Sequence, residues 1–116
     1  MPQDRPVTLN YDGTNFGPNP PSVPALGNDT ISFKLGASSV ANAKLRITIE
    51  DDSHFSAKVL KHEPGQNGKE PLHVHVKPGF NTKTSYECEL LDANDKVITK
   101  SKGGGEIEPD TGGGNK

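Results

Sequence analysis

The chain has no tryptophan, a single cysteine and few aromatic residues, which make up 5% of its 116 residues. The single cysteine, Cys88, excludes an intramolecular disulfide and a zinc site built from several thiolates. Only 29% of the residues are hydrophobic, so the chain can bury no more than a modest core. These shortages predict one small domain that is stabilised mainly by aliphatic packing.

A surplus of charge of one sign is also lacking, because the formal net charge is −2 at pH 7 and acidic and basic residues are interspersed. We therefore expect no basic surface and no binding to nucleic acid. No apolar stretch approaches the ~20 residues that a membrane-spanning helix needs. We expect a soluble domain without a membrane span.

The first six residues, Met1–Pro6, contain no apolar segment of the kind found in secretory signals. A cytoplasmic location is therefore the default expectation. A chain whose signal had been removed would begin in the same way, so export or attachment to a surface stays open. One cysteine is compatible with a reducing compartment and does not establish it.

Proline and glycine are concentrated near the two ends of the chain. Six of the ten prolines lie within the first 24 residues, and six of the thirteen glycines form two triplets near the C-terminus. Such segments do not repay the entropy of ordering them. We expect residues 1–27 to be an extended segment with an edge strand at 6–11, residues 28–102 to form the core domain, and residues 103–116 to be a flexible tail.

The central region alternates apolar and polar residues with the two-residue period of half-buried strands. Ile31, Phe33 and Leu35 show this alternation, and clusters of turn-forming residues separate such segments. No ten-residue stretch has the apolar spacing of a helix. The pattern predicts an all-β fold, an antiparallel sandwich of about seven strands at residues 6–11, 29–36, 44–51, 55–61, 70–76, 83–92 and 95–101.

The same alternation assigns side chains to the two faces of each strand. Arg46, His73, His75 and Glu87 are expected to point outward. Leu60 follows Val59 directly, which breaks the alternation and suggests a bulge in the fourth predicted strand. The predicted core contains Ile31, Phe33, Leu45, Ile47, Phe55, Val59, Leu72, Val74, Val76, Tyr86, Cys88 and Leu90.

One local motif resembles a known fold family. Val76-Lys-Pro-Gly79, followed by Thr84-Ser-Tyr86-Glu-Cys88, is similar to the corner and following strand of immunoglobulin and fibronectin type III domains. The resemblance implies that the Tyr86 hydroxyl bonds to backbone around Pro78–Phe80. It also implies a binding or scaffolding role more often than catalysis. The chain departs from the immunoglobulin pattern by having no tryptophan and by carrying Phe33 where the partner cysteine would stand.

In that topology the loops after the second, fourth and sixth strands meet at one end of the sandwich. They carry small polar residues, which adapt to a partner but supply no aromatic anchor. We interpret the chain as a non-catalytic binding module with a protein partner, and we expect a monomer, with association through an exposed edge strand left open. The candidate contact residues are Ser38, Ser39, Asn42, Asp92, Asn94 and Asp95.

The alternative hypothesis is a metal-binding protein. His73 and His75 lie two residues apart, so both point to the same face of one predicted strand. A hairpin between the fourth and fifth strands would bring His62 close to them. Three imidazoles would suit Zn²⁺ or Cu²⁺, whereas solvent-facing histidines on a half-buried strand show the same pattern. No sequence motif of an enzyme is present, so no catalytic residue and no other cofactor is expected.

Overall fold

The computed structural model describes residues 3–38, 42–63, 66, 68–101 and 104–110. The described residues form two sheets packed face to face, so the chain is an all-β sandwich as predicted. They contain no helix long and apolar enough to span a membrane. The strands are β1 (Asp4–Tyr11), β2 (Phe16–Asn19), β3 (Ser22–Ala25), β4 (Thr30–Ser38), β5 (Lys44–Ile49), β6 (Val59–Lys61), β7 (Leu72–His75), β8 (Thr84–Leu91), β9 (Val97–Lys100) and β10 (Gly105–Pro109).

The first sheet has the order β2–β1–β4–β7, and the second has the order β3–β10–β8–β5–β6. β9 and β10 follow one another along the same side of β8, because β5 occupies its other side. Two neighbouring pairs run parallel, β1 with β4 and β3 with β10. The remaining pairs are antiparallel. The chain thus contributes strands to the two sheets in alternation rather than completing one sheet first.

The predicted alternation correctly identifies most of the core. Of the twelve predicted core residues, all but Val59 and Leu72 are buried, and Leu72 packs against the core while partly exposed. The side chains of His73, His75 and Glu87 are exposed, as expected, and Arg46 is partly exposed. The register of the central strands was therefore encoded in their period-two pattern.

The prediction was wrong for Val59, which is 50% exposed. In β6 the inward residue is Leu60, which pairs with Ile47 of β5 and is 8% exposed. No bulge is recorded in this pairing. The strand is only three residues long. Because its central residue, Leu60, points inward, Val59 and Lys61 on either side of it point outward.

The N-terminal segment differs from the expectation. Residues 4–25 form three strands, and β1 lies between β2 and β4 instead of at a sheet edge. Val7 and Leu9 are fully buried in the common core. Two buried aliphatic side chains and a parallel ladder with β4 offset the cost of ordering this proline-rich region.

The C-terminal glycine-rich segment also differs from the expected flexible tail. β10 inserts between β3 and β8, and Ile107 is fully buried. Gly105 is needed there, because a Cβ at this position would lie 2.3 Å from Cζ of Tyr86. The prediction for residues 111–116 falls outside the described residues. The composition of this segment does not indicate a strand, and Ile107 is the one hydrophobic side chain that β10 buries in the core.

The proposed bond of Tyr86 to the turn at Pro78–Phe80 is not formed. The Tyr86 ring packs edge-on against Phe33, with centroids 5.1 Å apart, and its hydroxyl lies against Gly105. That hydroxyl is buried and has no hydrogen-bond partner among the described residues. Burial accordingly raises the pKa of Tyr86, with a further contribution from Cys88. The ring thus packs against Phe33 and Gly105, and its hydroxyl does not bond to the turn.

Candidate functional site

The predicted loops do lie together, at one end of the sandwich. The Gly68 backbone N–H donates to the carbonyl of Ala43 at 2.8 Å. Lys44 lies 2.5 Å from Asp95, and Lys61 lies 3.2 Å from the same carboxylate. We call this surface, formed by Asn42–Lys44, Gly68 and Asp92–Lys96, the loop end.

The polar groups of the loop end are used mainly to hold the loops. Asp92 Oδ1 accepts hydrogen bonds from the backbone N–H groups of Asn94 at 2.8 Å and Lys96 at 2.9 Å. Hydrogen bonds from Lys44 and then Lys61 lower the pKa of Asp95. Asn42 is exposed. The predicted contact residue Ser38 is described only as the last residue of β4. Ser39, the other predicted serine, lies outside the described residues.

His62 is also a structural residue of this region. It is fully buried, and the Leu45 backbone N–H donates to its Nδ1 at 3.0 Å. Nδ1 must therefore be unprotonated, so the proton lies on Nε2, which donates to the carbonyl of Glu70 at 2.6 Å. Both ring nitrogens are thus engaged with backbone groups, and neither is available to a metal ion.

The structure does not bring the three predicted metal ligands together. β6 and β7 belong to different sheets, so the expected hairpin between them is not formed. His62 is buried beside β5, whereas His73 and His75 are exposed on the outer face of the four-stranded sheet. Within the described residues there is no group of three or more His, Cys, Asp or Glu side chains that could hold a metal ion.

The outer face of the four-stranded sheet carries a small cleft that crosses three neighbouring strands. Its volume is about 230 Å³, below the common range for pockets that enclose a whole small molecule. β1, β4 and β7 each contribute to it, together with the chain that precedes β7. We call it the sheet cleft, and it is lined by Asp4, Pro6, Ser32, Lys34, Lys69, Pro71 and His73.

A hydrogen-bond chain runs across these strands along the cleft. The Ser32 hydroxyl donates to Oδ1 of Asp4, and its Oγ lies 2.9 Å from Nδ1 of His73. Because serine has one hydroxyl hydrogen and Asp4 receives it, Nδ1 of His73 must be the donor to Ser32. The neutral imidazole is then protonated on Nδ1, and its Nε2 carries a lone pair that accepts no hydrogen bond from the residues that the structure describes. Ser32 is 7% exposed, so the chain is anchored at a buried atom.

A second network fixes Asp4 in this position. The residues on either side of it both bind Asp29: the Gln3 backbone N–H donates at 2.9 Å, and Arg5 Nε donates at 2.8 Å. Asp29 is 1% exposed and also accepts from the Leu26 backbone N–H. Burial opposes its ionisation, but these hydrogen bonds outweigh that cost and lower the pKa of Asp29. Because Gln3 and Arg5 are both bound to Asp29, the backbone position of Asp4 between them is fixed.

The same residue types occur in hydrolase triads, but the order here is different. In a triad the histidine lies between serine and the carboxylate and accepts the serine proton. Here Ser32 lies between Asp4 and His73, and its proton is directed to the carboxylate. The other candidate nucleophile, Cys88, is fully buried, and burial raises the pKa of its thiol to about 12. In this order the imidazole does not accept the Ser32 proton, so the hydrogen-bond chain does not activate Ser32 as a triad would.

A larger cleft, of about 400 Å³, lies on the six-stranded sheet and is lined in part by Glu50, Ser85 and Glu87. The Ser85 hydroxyl donates to Glu50 at 2.7 Å. Its acidic side chains are exposed, and no buried polar side chain with a recorded hydrogen bond crosses its strands. We place more weight on the sheet cleft, because its geometry is fixed at a buried hydroxyl.

Sequence analysis identified His73 as an outward-facing residue but missed Asp4, Ser32 and Lys34. A signal for two of them was present, because Ser32 and Lys34 alternate with Ile31, Phe33 and Leu35. The connection of Ser32 to Asp4 and His73, 28 and 41 positions away in the sequence, depends on strand pairing, which the local pattern does not reveal. Comparison with models of known protein families gave no match, and comparison with curated proteins gave none.

Proposed function

We propose that this chain is a non-catalytic interaction module that binds a partner protein through the sheet cleft. The observation that carries the proposal is the chain Asp4–Ser32–His73, which fixes polar groups from three strands at one surface position. Sites that are rigid before binding lose less entropy when the complex forms. A volume of about 230 Å³ suits one anchoring side chain of a partner, with the surrounding polar face as the rim.

The strand arrangement supports an immunoglobulin-like module, although the expected tyrosine contact is not formed. In such sandwiches the second and fifth strands share one sheet, and the third, sixth and seventh share the other. β4 pairs with β7, while β5 and β9 both pair with β8, which is the same distribution. Two features depart from that scheme: β6, the fourth predicted strand, pairs with β5 instead of lying beside β7, and β1 pairs with β4 in parallel.

We further propose that the module acts as a monomer. Edge strands recruit other chains unless something blocks the unpaired backbone. β2 contains Pro18, β3 contains Pro24, β6 is three residues long, and the outer side of β7 is partly covered because the Ser56 N–H donates to the His75 carbonyl. β9 is irregular opposite Leu90 and Leu91. Sedimentation velocity over a wide concentration range should give one constant species, and concentration-dependent growth would contradict this.

The test of the binding site is chemical-shift mapping on the ¹⁵N-labelled chain. The probes are the N-acetyl amides of glutamate, glutamine, lysine and leucine, each added to millimolar concentration. Shift changes from at least one probe should centre on the amides of Ser32, Lys34 and His73. Changes centred on Asn42 and Asp92–Asp95, or none from any probe, would overturn the proposal.

The metal alternative is tested in the same way with Zn²⁺ and Cu²⁺ in place of the amide probes. Of the three predicted ligands, His73 and His75 share one exposed face, and His62 is buried away from them. Two imidazoles without a third protein ligand make an incomplete zinc site. We therefore expect weak binding at most, and a stoichiometric, tight complex would replace the interaction module as the leading function.

A further inference from the structure

The geometry points to a specific anchor: the sheet cleft recognises the carboxylate of a glutamate or aspartate side chain of the partner protein, and binding is accompanied by protonation of His73. This inference rests on the proposed function and adds the chemistry of the contact. It depends on three features of the cleft, namely the charges that line it, the tautomer of His73 and the shape of its walls.

The charges at the cleft favour an anion. Lys34 and Lys69 both line it, and Lys34 is exposed, with no recorded hydrogen bond or ion pair to another described residue. Asp4 is the one acidic residue in the lining, and the Ser32 hydroxyl already binds its carboxylate. The Lys34 ammonium group is therefore available to a ligand, while the negative charge of Asp4 is partly satisfied by the Ser32 hydroxyl.

The tautomer of His73 makes recognition dependent on a proton. In the neutral ring Nδ1–H donates to Ser32 and Nε2 carries a lone pair, which would repel an incoming carboxylate. Protonation of Nε2 leaves the bond to Ser32 intact and converts the outer edge of the ring into a donor. The charged groups facing His73 are Asp4 from β1, Lys34 from β4 and Lys69 from the preceding chain, with His75 next along its own strand. A bound carboxylate adds a negative charge to this set and so stabilises the imidazolium.

The walls of the cleft suit a short aliphatic stem. Pro6 and Pro71 line it beside the charged groups, and their rings offer apolar surface without a hydrogen-bond donor. A glutamate side chain places two methylene groups before its carboxylate, so it can contact the prolines while its oxygens reach Lys34 and His73. A glutamine side chain has the same shape without the charge, which makes it the matched control.

The experiment compares N-acetylglutamate amide with N-acetylglutamine amide by ¹⁵N chemical-shift titration at about pH 8 and about pH 5.5, a range in which histidine changes charge. We expect the glutamate probe to bind about tenfold tighter at the lower pH, which corresponds to one added charge-assisted hydrogen bond. The glutamine probe should show little pH dependence. The ring nitrogens of His73 should shift to the doubly protonated form as the glutamate probe saturates.

Variants separate the contributions. Lys34→Gln should weaken the glutamate probe several-fold at both pH values, and His73→Gln should abolish the pH dependence. Lys96 is an exposed lysine of the β8–β9 turn, and Lys96→Gln is the charge-matched control. It should change neither the affinity for the glutamate probe nor the pH dependence of that affinity. Equal binding of both probes at the cleft would overturn the carboxylate inference while leaving the proposed function intact. No binding of any probe at the cleft would overturn both.

Discussion

The loop end and the sheet cleft both gather polar side chains, but they use them differently. At the loop end the contacts are local or bridge neighbouring loops, as when Asp92 accepts from backbone N–H groups two and four residues further on. At the sheet cleft the contacts join strands that are distant in sequence, and His73 keeps a ring nitrogen free. A surface rich in polar residues is therefore not equivalent to a surface with polar groups left for a partner.

The difference follows from where each side chain starts. Asp, Asn and Ser in turns bind the nearby backbone, because their short side chains reach it. Side chains on the outer face of a sheet cannot reach their own ladder, so they bind neighbours across strands or face solvent. Ser32 and His73 are of the second kind, and this explains why the cleft is both fixed and accessible.

The largest expected effect is on the anchor that holds Asp4. Asp29→Asn should lower the free energy of unfolding by about 3 kcal/mol at neutral pH, because a buried carboxylate with several donors is lost. Since the folded-state pKa of Asp29 is lowered, its contribution is present above the pKa of the unfolded chain and is lost as pH falls through the folded-state pKa. Urea unfolding at neutral and acidic pH should show the two proteins converging in acid.

The matched control for that experiment is Asp52→Asn. Asp52 is exposed, and no side-chain hydrogen bond of its own is recorded among the described residues. Its replacement should change stability by less than about 0.5 kcal/mol. A loss as large for Asp52 as for Asp29 would mean that net charge, rather than the buried network, produces the effect.

The second prediction concerns the loop end. His62→Ala should destabilise the fold by about 2–3 kcal/mol, because it leaves the Leu45 N–H and the Glu70 carbonyl without their partner and opens a cavity. Chemical denaturation measures this loss. His75→Ala, at an exposed position, should be nearly neutral. A His62→Ala variant as stable as the wild type would contradict the structural role of these two hydrogen bonds.

A smaller effect is expected within the cleft itself. Ser32→Ala removes the hydroxyl that links Asp4 to His73 and should lower stability by about 1 kcal/mol. The same variant should weaken every probe that binds the cleft, because His73 loses its fixed orientation. Calorimetric unfolding and shift titration on one sample measure both quantities. Full probe affinity in this variant would show that the network does not position the site.

The smallest effect, with the opposite sign, is expected at Tyr86. Its hydroxyl is buried and has no hydrogen-bond partner among the described residues, so removing it relieves a desolvation cost. Tyr86→Phe should leave stability unchanged or raise it by up to about 1 kcal/mol. A clear loss in thermal or urea unfolding would instead support the bond to the Pro78–Phe80 turn that the sequence motif implied.

Local pattern was sufficient for the central strands, since Ile31 and Phe33, or Leu45 and Ile47, place one face inward without reference to other strands. It was not sufficient for β10, where Ile107 is the single apolar residue among glycine, glutamate and proline. The parallel pairing of β1 with β4 was also beyond local pattern, because the register is set by contacts between distant segments. The contact of Asp4 with the site depends on that pairing and was not predictable, whereas alternation alone indicates the outward positions of Ser32, Lys34 and His73.

The most direct test of the account is the protonation pattern of the His73 ring, read from a long-range ¹H–¹⁵N spectrum of the neutral imidazole. The network predicts a proton on Nδ1 in the wild-type chain, because Ser32 gives its own proton to Asp4. It also predicts that Ser32→Ala releases this constraint and changes the tautomer. A wild-type ring protonated on Nε2, unaltered by Ser32→Ala, would contradict the hydrogen-bond chain and the binding site built on it.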